Sequence, residues 1–215
     1  MPQVSLPTLV AQARSGESLV SFPTDTVPAL AVRPDRAELV FAAKQRNLDK
    51  PLILMAATIA ELWSYVTGSP AERQHWQQLA EQYLPGALTL VLPANDRVPP
   101  TMNPMQPTTI GVRVPHHPVA IAILAQTGAL ATTSANRSGQ PALQSMAEIA
   151  VAFPQVFTLL PSEVEALVPT GDRAPQPSGV ASTVIRWTGN DWEVLRQGAV
   201  WVKPEGRGQK AEGRS

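Results

Sequence analysis

The chain has 215 residues, which is enough for one large domain with a hydrophobic core or for two small ones. Hydrophobic residues make up 44% and charged residues 16%, a globular composition, and 17 basic side chains balance 17 acidic ones. The net charge of zero excludes a global attraction to nucleic acid or membranes, and the absence of cysteine excludes disulfides and thiolate chemistry.

Several helices are predicted from apolar residues at helical spacing. The first follows Ser5 and ends at Gly16, and the second is expected to be capped by Asp35 and to run towards Lys44. A later helix, "HPVAIAILAQTG", is predicted to end before Gly128. Capping-box sequences, in which Ser or Thr precedes Glu by three residues, predict further helix starts at Thr58, Ser69 and Ser145.

Apolar and β-branched runs between these helices predict strands. They are "SLVSF", "ALAV", "PLILMA", "ALTLVLP", "TTIGVRVP", "ALATTSA" and "VFTLL", followed by a hairpin of "STVIRW" and "DWEVLR" around "TGN". Because strands and helices interleave, we predict one α/β domain with a mixed sheet flanked by helices. The proline-rich residues 95–108 predict a functional or mobile loop, and the polar residues 203–215 a disordered tail.

Most familiar catalytic motifs are absent from the sequence. There is no Walker A, GxGxxG, HExxH or GxSxG pattern. The three histidines, His75, His116 and His117, have no acidic residues spaced for a zinc site, so a cap or a solvated turn is the favoured interpretation for the last two. We therefore expect no metal held by protein ligands alone.

Four polar clusters lie next to the ends of predicted strands. They are Thr24-Asp25-Thr26, Lys44-Gln45-Arg46 with the later Lys50-Pro51, Arg113 in "IGVRVP", and "TTSANRSG" at residues 132–139. Ligands of open α/β sheets bind at strand ends, and hydroxyls with backbone N–H groups suit phosphate oxygens. The cationic pair of the second cluster could neutralise a triphosphate. The clusters together indicate a phosphate-binding site.

Each cluster also has an ordinary structural interpretation. Thr24 or Asp25 can cap a turn, and Lys44 and Arg46 suit a helix C-terminus, where cations are favourable. "SANRSG" can be a plain loop. The residues alone leave these alternatives open.

The order of six motifs resembles the YrdC/Sua5 family, the threonylcarbamoyl-AMP synthases. The motifs are "FPTDTVPAL", "KQRNLDKPLIL", "PGALTLVLPA", "TIGVRVPHHP", "TTSANRSGQPA" and "ASTVI…LRQG". The resemblance covers residues 5–202, and KxR followed by SxN is its most specific part. The chain resembles the short form of the family, which lacks the extra C-terminal domain of longer Sua5 members.

The resemblance implies a fold, a reaction and partners. The fold is a single YrdC-like domain, a twisted sheet with a concave, positively charged pocket. The reaction combines L-threonine, bicarbonate or CO2, and ATP into threonylcarbamoyl adenylate and pyrophosphate, with Mg²⁺ bridging the nucleotide. The product serves t6A modification of tRNA, so tRNA or the t6A transferase is an expected partner. Neither a signal peptide nor a membrane span is visible, so we expect a cytoplasmic protein.

The resemblance also assigns roles to single residues in the phosphate-binding region. Lys44 and Arg46 match the KxR positions and are expected to act in catalysis by holding the phosphates and the carbamate. Ser134 and Asn136 match SxN and are expected to bind phosphate oxygens, with Thr133 in the same binding set.

Four further residues are assigned to substrate binding by the resemblance. Thr24 is expected to touch the amino acid, and Arg113 the nucleotide or the substrate carboxylate. Ser182 and Arg196 match the late Ser-Thr and RxG positions and are expected near the nucleotide.

The sequence departs from the family pattern beside the expected threonine pocket. Pro28 and Ala29 stand where the family usually has Tyr-Gly, and an alanine is strained wherever glycine would adopt positive φ. A diverged relative that binds nucleotide or RNA without this chemistry is the alternative function.

Overall fold

The computed structural model describes residues 2–45, 47–168 and 177–202. The helices are α1 (Leu6–Ser15), α2 (Glu38–Lys44), α3 (Ile59–Leu62), α4 (Pro70–Tyr83), α5 (Pro118–Thr127), α6 (Met146–Ala152) and α7 (Pro161–Leu167). The strands are β1 (Gln3–Val4), β2 (Val20–Phe22), β3 (Ala29–Val32), β4 (Ile53–Met55), β5 (Leu88–Pro93), β6 (Thr109–Arg113), β7 (Leu130–Ser134), β8 (Thr158–Leu159), β9 (Thr183–Trp187) and β10 (Trp192–Arg196). The predicted tail at 203–215 lies outside the described residues.

Eight strands form one mixed sheet in the order β10-β9-β5-β6-β4-β7-β3-β2. The β9–β5 and β4–β6 pairs are parallel, and the other neighbours are antiparallel. The predicted C-terminal hairpin is confirmed as β9 and β10. The α/β fold with a mixed sheet is therefore confirmed.

The predicted strand "VFTLL" does not join the main sheet as a full strand. It is reduced to β8, which pairs in parallel with β1 in a separate two-stranded sheet. Phe157 makes a bridge to Val20 beside the edge strand β2, so this segment covers that edge.

The strands alternate between two hydrophobic clusters, one on each face of the sheet. Leu30 and Val32 of β3 join the larger cluster, whereas Ala29 and Ala31 join the smaller one with α1 and α5. Trp76 of α4 is fully buried in the larger cluster. The faces are thus set by the period-2 pattern of the strands.

Helix ends confirm some of the predicted caps. Gly16 ends α1 in the left-handed region at φ 71°, a conformation in which glycine has no steric penalty. Ser69 and Ser145 form complete capping boxes. Thr58 caps α3 by accepting from the Glu61 backbone N–H, but this cap is not a reciprocal capping box.

The predicted helix cap by Asp35 is wrong. Asp35 lies in a short 3-10 turn, and α2 begins three residues later with Ala37 at its N-cap. The Asp35 carboxylate is occupied by both Nε and Nη2 of Arg33, at 2.6 and 2.9 Å. A charged guanidinium competes successfully with backbone N–H groups for such an oxygen.

The proline-rich loop at 95–108 packs against the domain. Val98 and Met102 are buried, and the Met102 carbonyl accepts the Leu52 backbone N–H at 2.8 Å. The Asn103 side chain donates to the Thr109 carbonyl at 3.1 Å. The predicted loop is thus anchored beside the start of β4.

In the part of the chain that the structure describes, no helix is long and apolar enough to cross a membrane.

Candidate functional site

A cavity of about 500 Å³ lies on the sheet face opposite the larger hydrophobic cluster. Its floor is made by the strand residues that alternate with that cluster, such as Ile53 and Met55 on either side of Leu54. Gly111 belongs to the same floor, and a Cβ there would lie 3.2 Å from Thr89 Cγ2. With glycine at this position, no side chain projects from the floor of the cavity.

The cavity wall is rich in cationic and hydroxyl groups. Its charged members are Lys50, Arg113, Arg196 and the single carboxylate Asp49. Its hydroxyl members are Thr26, Thr89, Thr132, Thr133, Ser134 and Ser182. Three cations against one carboxylate suit an anionic ligand.

The turn of residues 24–26, named here the TDT turn, connects β2 to β3. The Thr24 hydroxyl donates to the Val27 carbonyl at 2.7 Å and accepts from the Thr26 backbone N–H at 3.2 Å. Thr24 is buried, and Thr26 is the threonine of this turn that lines the cavity. Thr24 thus shapes the turn, and its contact with an amino acid stays a prediction.

Arg113 lies at the end of β6 and is joined to the TDT turn. Its Nη2 contacts Asp25 Oδ1 at 2.7 Å, its Nη1 donates to Thr26 Oγ1 at 2.9 Å, and its Nε donates to the Gly86 carbonyl at 2.9 Å. Burial lowers the pKa of Arg113, Asp25 partly offsets that effect, and nearby Arg196 lowers it further. The neighbouring Asp25 carboxylate favours the charged form of the guanidinium.

Lys44 and Asn136 form a second group with Ser134, which lines the cavity. The Lys44 ammonium donates to the Ser134 carbonyl and, at 3.1 Å, to Asn136 Oδ1. Ser134 Oγ donates to the same Asn136 oxygen at 2.6 Å. Lys44 is only 1% exposed, so it orders the turn of residues 134–136, named here the SAN turn. Arg46 lies outside the described residues.

Ser182 and Arg196 form a third group at the opposite end of the cavity. Arg196 Nη2 donates to the Ser182 carbonyl at 2.8 Å. The Ser182 hydroxyl lies 2.9 Å from Thr89 Oγ1. Thr89 was not predicted, although it is the polar residue on the inward face of an otherwise apolar strand, which is a usable signal.

Pro28 and Ala29 fit the described backbone without strain. Ala29 begins β3 and pairs with Ser134, while the Pro28 carbonyl accepts the Ala135 backbone N–H at 2.9 Å. Within the described ranges, Gln45 is the one non-glycine residue with positive φ. Ala29 is in an extended conformation, so alanine in place of the usual glycine introduces no backbone strain there.

Two further polar residues reach the cavity from loops. Asn103, which the sequence did not mark, comes from the proline-rich loop, and Lys50 of the second predicted cluster precedes β4. No local pattern marks Asn103, because its position depends on the packing of Met102 below it.

His117 is the N-cap residue of α5. Its side chain is 5% exposed, and Nδ1 has no hydrogen-bond partner among the described residues. Burial lowers the pKa of the imidazole below its ordinary value, Asp25 raises it in part, and His116 lowers it. The neutral form of His117 is therefore favoured in the folded protein.

This burial predicts a pH dependence of stability. The unfolded chain binds the proton more readily than the folded protein does. The contribution of neutral His117 to the unfolding free energy is therefore fully present above about pH 6.5, and it falls as the pH drops below that value. One histidine contributes at most about 1.4 kcal/mol per pH unit. The unfolding free energy, measured by urea denaturation between pH 5 and pH 8, should change less steeply with pH in His117→Phe than in the parental protein. The exposed His75→Gln should keep the parental slope, and an unchanged slope in His117→Phe contradicts the prediction.

Comparisons with known proteins agree with the geometry. The Sua5_yciO_yrdC family model, described as "Telomere recombination", matches residues 12–198. The chain is 32% identical over 189 residues to the threonylcarbamoyl-AMP synthase of Bacillus subtilis (strain 168), covering 85% of this chain and 50% of the relative. It is 37% identical over 163 residues to that of Halorhodospira halophila, covering 74% and 79%.

A solved structure is similar across most of the domain. The crystal structure of P. abyssi Sua5 complexed with L-threonine matches with a TM-score of 0.75 and 30% identity, over 90% of this chain and 54% of that one. The chain thus spans about half the length of the B. subtilis and P. abyssi proteins. The family match and the H. halophila relative confirm the predicted resemblance: this chain belongs to the Sua5/YciO/YrdC family.

Proposed function

We propose that this protein is an L-threonylcarbamoyladenylate synthase, a nucleotidyltransferase that uses L-threonine, bicarbonate or CO2, and ATP. The observation that carries the proposal is the meeting of Arg113, Arg196 and the SAN turn around one cavity of about 500 Å³. The relatives named threonylcarbamoyl-AMP synthase and the threonine complex of P. abyssi Sua5 support it.

The proposed chemistry needs positioning and positive charge more than an acid or a base. The threonine amine takes up CO2 and loses a proton to give a carbamate. A carbamate oxygen then forms a bond to the α-phosphorus of ATP, the bond to the bridging oxygen breaks, and pyrophosphate leaves. Because the nucleophile is an anion, the protein must hold two anionic reactants together.

In the proposal, each polar group of the site has its own role in binding the substrates. The SAN turn, with Thr133 beside it, binds phosphate oxygens, and Lys44 orders the turn and adds charge beneath it. Arg46 is proposed to join Lys44 in neutralising the phosphates.

The other polar residues of the site are proposed to bind the remaining substrate groups. Ser182 and Arg196 are proposed to lie near the nucleotide, and Arg113 near the nucleotide or the substrate carboxylate. Thr24 supports the amino acid through the TDT turn that it shapes.

Among residues 2–45, 47–168 and 177–202 there is no group of three His, Cys, Asp or Glu side chains that could hold a metal ion. We propose that Mg²⁺ enters with the triphosphate.

The wider setting of the activity is also proposed. Residues 5–202 form the catalytic domain, and the adenylate passes to the t6A machinery of tRNA in the cytoplasm. A tRNA or a t6A transferase is the proposed downstream partner.

The test is one incubation of the purified protein with ATP, Mg²⁺, bicarbonate and L-threonine. Pyrophosphate release and the mass of the adenylate are measured, with reactions lacking threonine or bicarbonate as controls and an active family member beside them. Threonine-dependent adenylate is the expected result. ATP binding without product identifies a diverged relative, and salt-sensitive RNA binding without ATP affinity identifies an RNA-binding protein.

A further inference from the structure

The Asp25–Arg113 ion pair differs from the other ion pairs between described residues. Its side chains are 8% and 5% exposed, whereas those of the other three pairs are at least 39% exposed. A buried ion pair is weak evidence for a stabilising role, because desolvation offsets most of the attraction. A pair buried beside a cavity therefore calls for a functional explanation.

Asp25 is held in place by contacts on several sides. Its Oδ1 accepts the His116 backbone N–H at 3.0 Å as well as the Arg113 guanidinium. Its backbone carbonyl accepts the Ser178 backbone N–H at 3.0 Å. The carboxylate is thus presented by an ordered backbone, and Asp25 is not among the residues that line the cavity.

Arg113 reaches the cavity with a defined orientation. Five N–H groups belong to a guanidinium, and three of them are used by Gly86, Thr26 and Asp25 within the described chain. One N–H therefore remains on each terminal nitrogen. Two such donors make a two-point contact with a carboxylate or phosphate oxygen pair.

We propose that Asp25 is a positioning residue, which holds the Arg113 guanidinium so that its remaining N–H groups bind an oxyanion of a substrate. This inference rests on the proposed function. The oxyanion is either the carboxylate of the amino acid or a phosphate of the nucleotide. Asp25 acts through Arg113, since Arg113 lines the cavity and Asp25 does not.

The kinetic test uses Asp25→Asn, which keeps an acceptor oxygen and removes the charge. We expect the KM for one substrate to rise about tenfold, in line with the loss of one charge-assisted hydrogen bond, while the other KM changes little. A rise for L-threonine identifies the carboxylate, and a rise for ATP identifies the phosphate. Asp25→Glu, which restores the charge, should recover part of the loss.

Two matched measurements separate positioning from general structure. Asp35→Asn breaks an Asp–Arg pair at the exposed surface, and both KM values should stay unchanged. Unchanged KM values in folded Asp25→Asn overturn the proposal. Equal rises in the KM values for L-threonine and for ATP, together with a lowered melting temperature of Asp25→Asn, also overturn it.

A spectroscopic measurement tests the inference without catalysis. In the parental protein, ¹⁵N NMR of arginine side chains should show slow rotation of the Arg113 guanidinium, assigned with Arg113→Lys. Asp25→Asn, or Asp25→Glu if the first variant does not fold, should increase that rotation. If the parental protein makes no adenylate, the proposed function fails, and unchanged Arg113 signals in the variant then overturn this inference separately.

Discussion

Lys44→Met should lower the rate of adenylate formation by about 100-fold or more, a loss typical of removing one preorganised charged donor. The Lys44 ammonium donates to the Ser134 carbonyl and to Asn136 Oδ1, and methionine can replace neither bond. The SAN turn would lose its order as well as the charge beneath it. The rate is measured as pyrophosphate release at saturating ATP, bicarbonate and L-threonine.

The control for this variant removes a cation of similar length from the surface. Arg36 lies just before α2 and is paired with Glu38, the first residue of that helix, and both side chains are exposed. Arg36→Met should therefore keep the parental rate. Circular dichroism and thermal melting establish that Lys44→Met is folded, and a folded variant with parental turnover removes Lys44 from the catalytic set.

Gly198→Ala should lower the unfolding free energy by about 1–3 kcal/mol, the usual effect of overpacking. A Cβ at this position would lie 2.2 Å from the Ala181 carbonyl oxygen and 2.5 Å from that of Ser182. These are backbone atoms, so the segment before β9 must move. The free energy is measured by urea denaturation of both proteins.

The same substitution should weaken substrate binding at one end of the cavity. The Ser182 carbonyl that is pushed aside is the acceptor for Arg196, and the Ser182 hydroxyl contacts Thr89. We expect a higher KM for the substrate bound there. Ala199→Ser adds one atom at the exposed next residue and should change neither quantity. Parental stability in Gly198→Ala shows that the backbone accommodates the Cβ.

Local patterns failed where a distant or charged group competed with them. The acceptor that would have capped α2 was taken by Arg33, so Asp35 did not act as a cap. The proline-rich loop, expected to be functional or mobile, is anchored through buried Met102 and brings Asn103 to the cavity. Composition shows that a loop contains prolines, but whether it packs depends on the surface that receives it.

The sequence by itself determined six of the seven helices that the structure describes, the alternation of the strands and the residue types of the site. These features follow from hydrogen bonds and periodicities within a few residues, which the local sequence encodes. The predicted order of motifs was also sufficient to indicate the family that the comparisons confirm.

Only the tertiary structure decided which side chains meet. Asp25 contacts Arg113 at a separation of 88 residues, and Lys44 contacts Asn136 at a separation of 92. Both contacts depend on the order of strands in the sheet, which brings β6 and β7 on either side of β4. Strand order results from the global packing of both sheet faces, and no local pattern contains it.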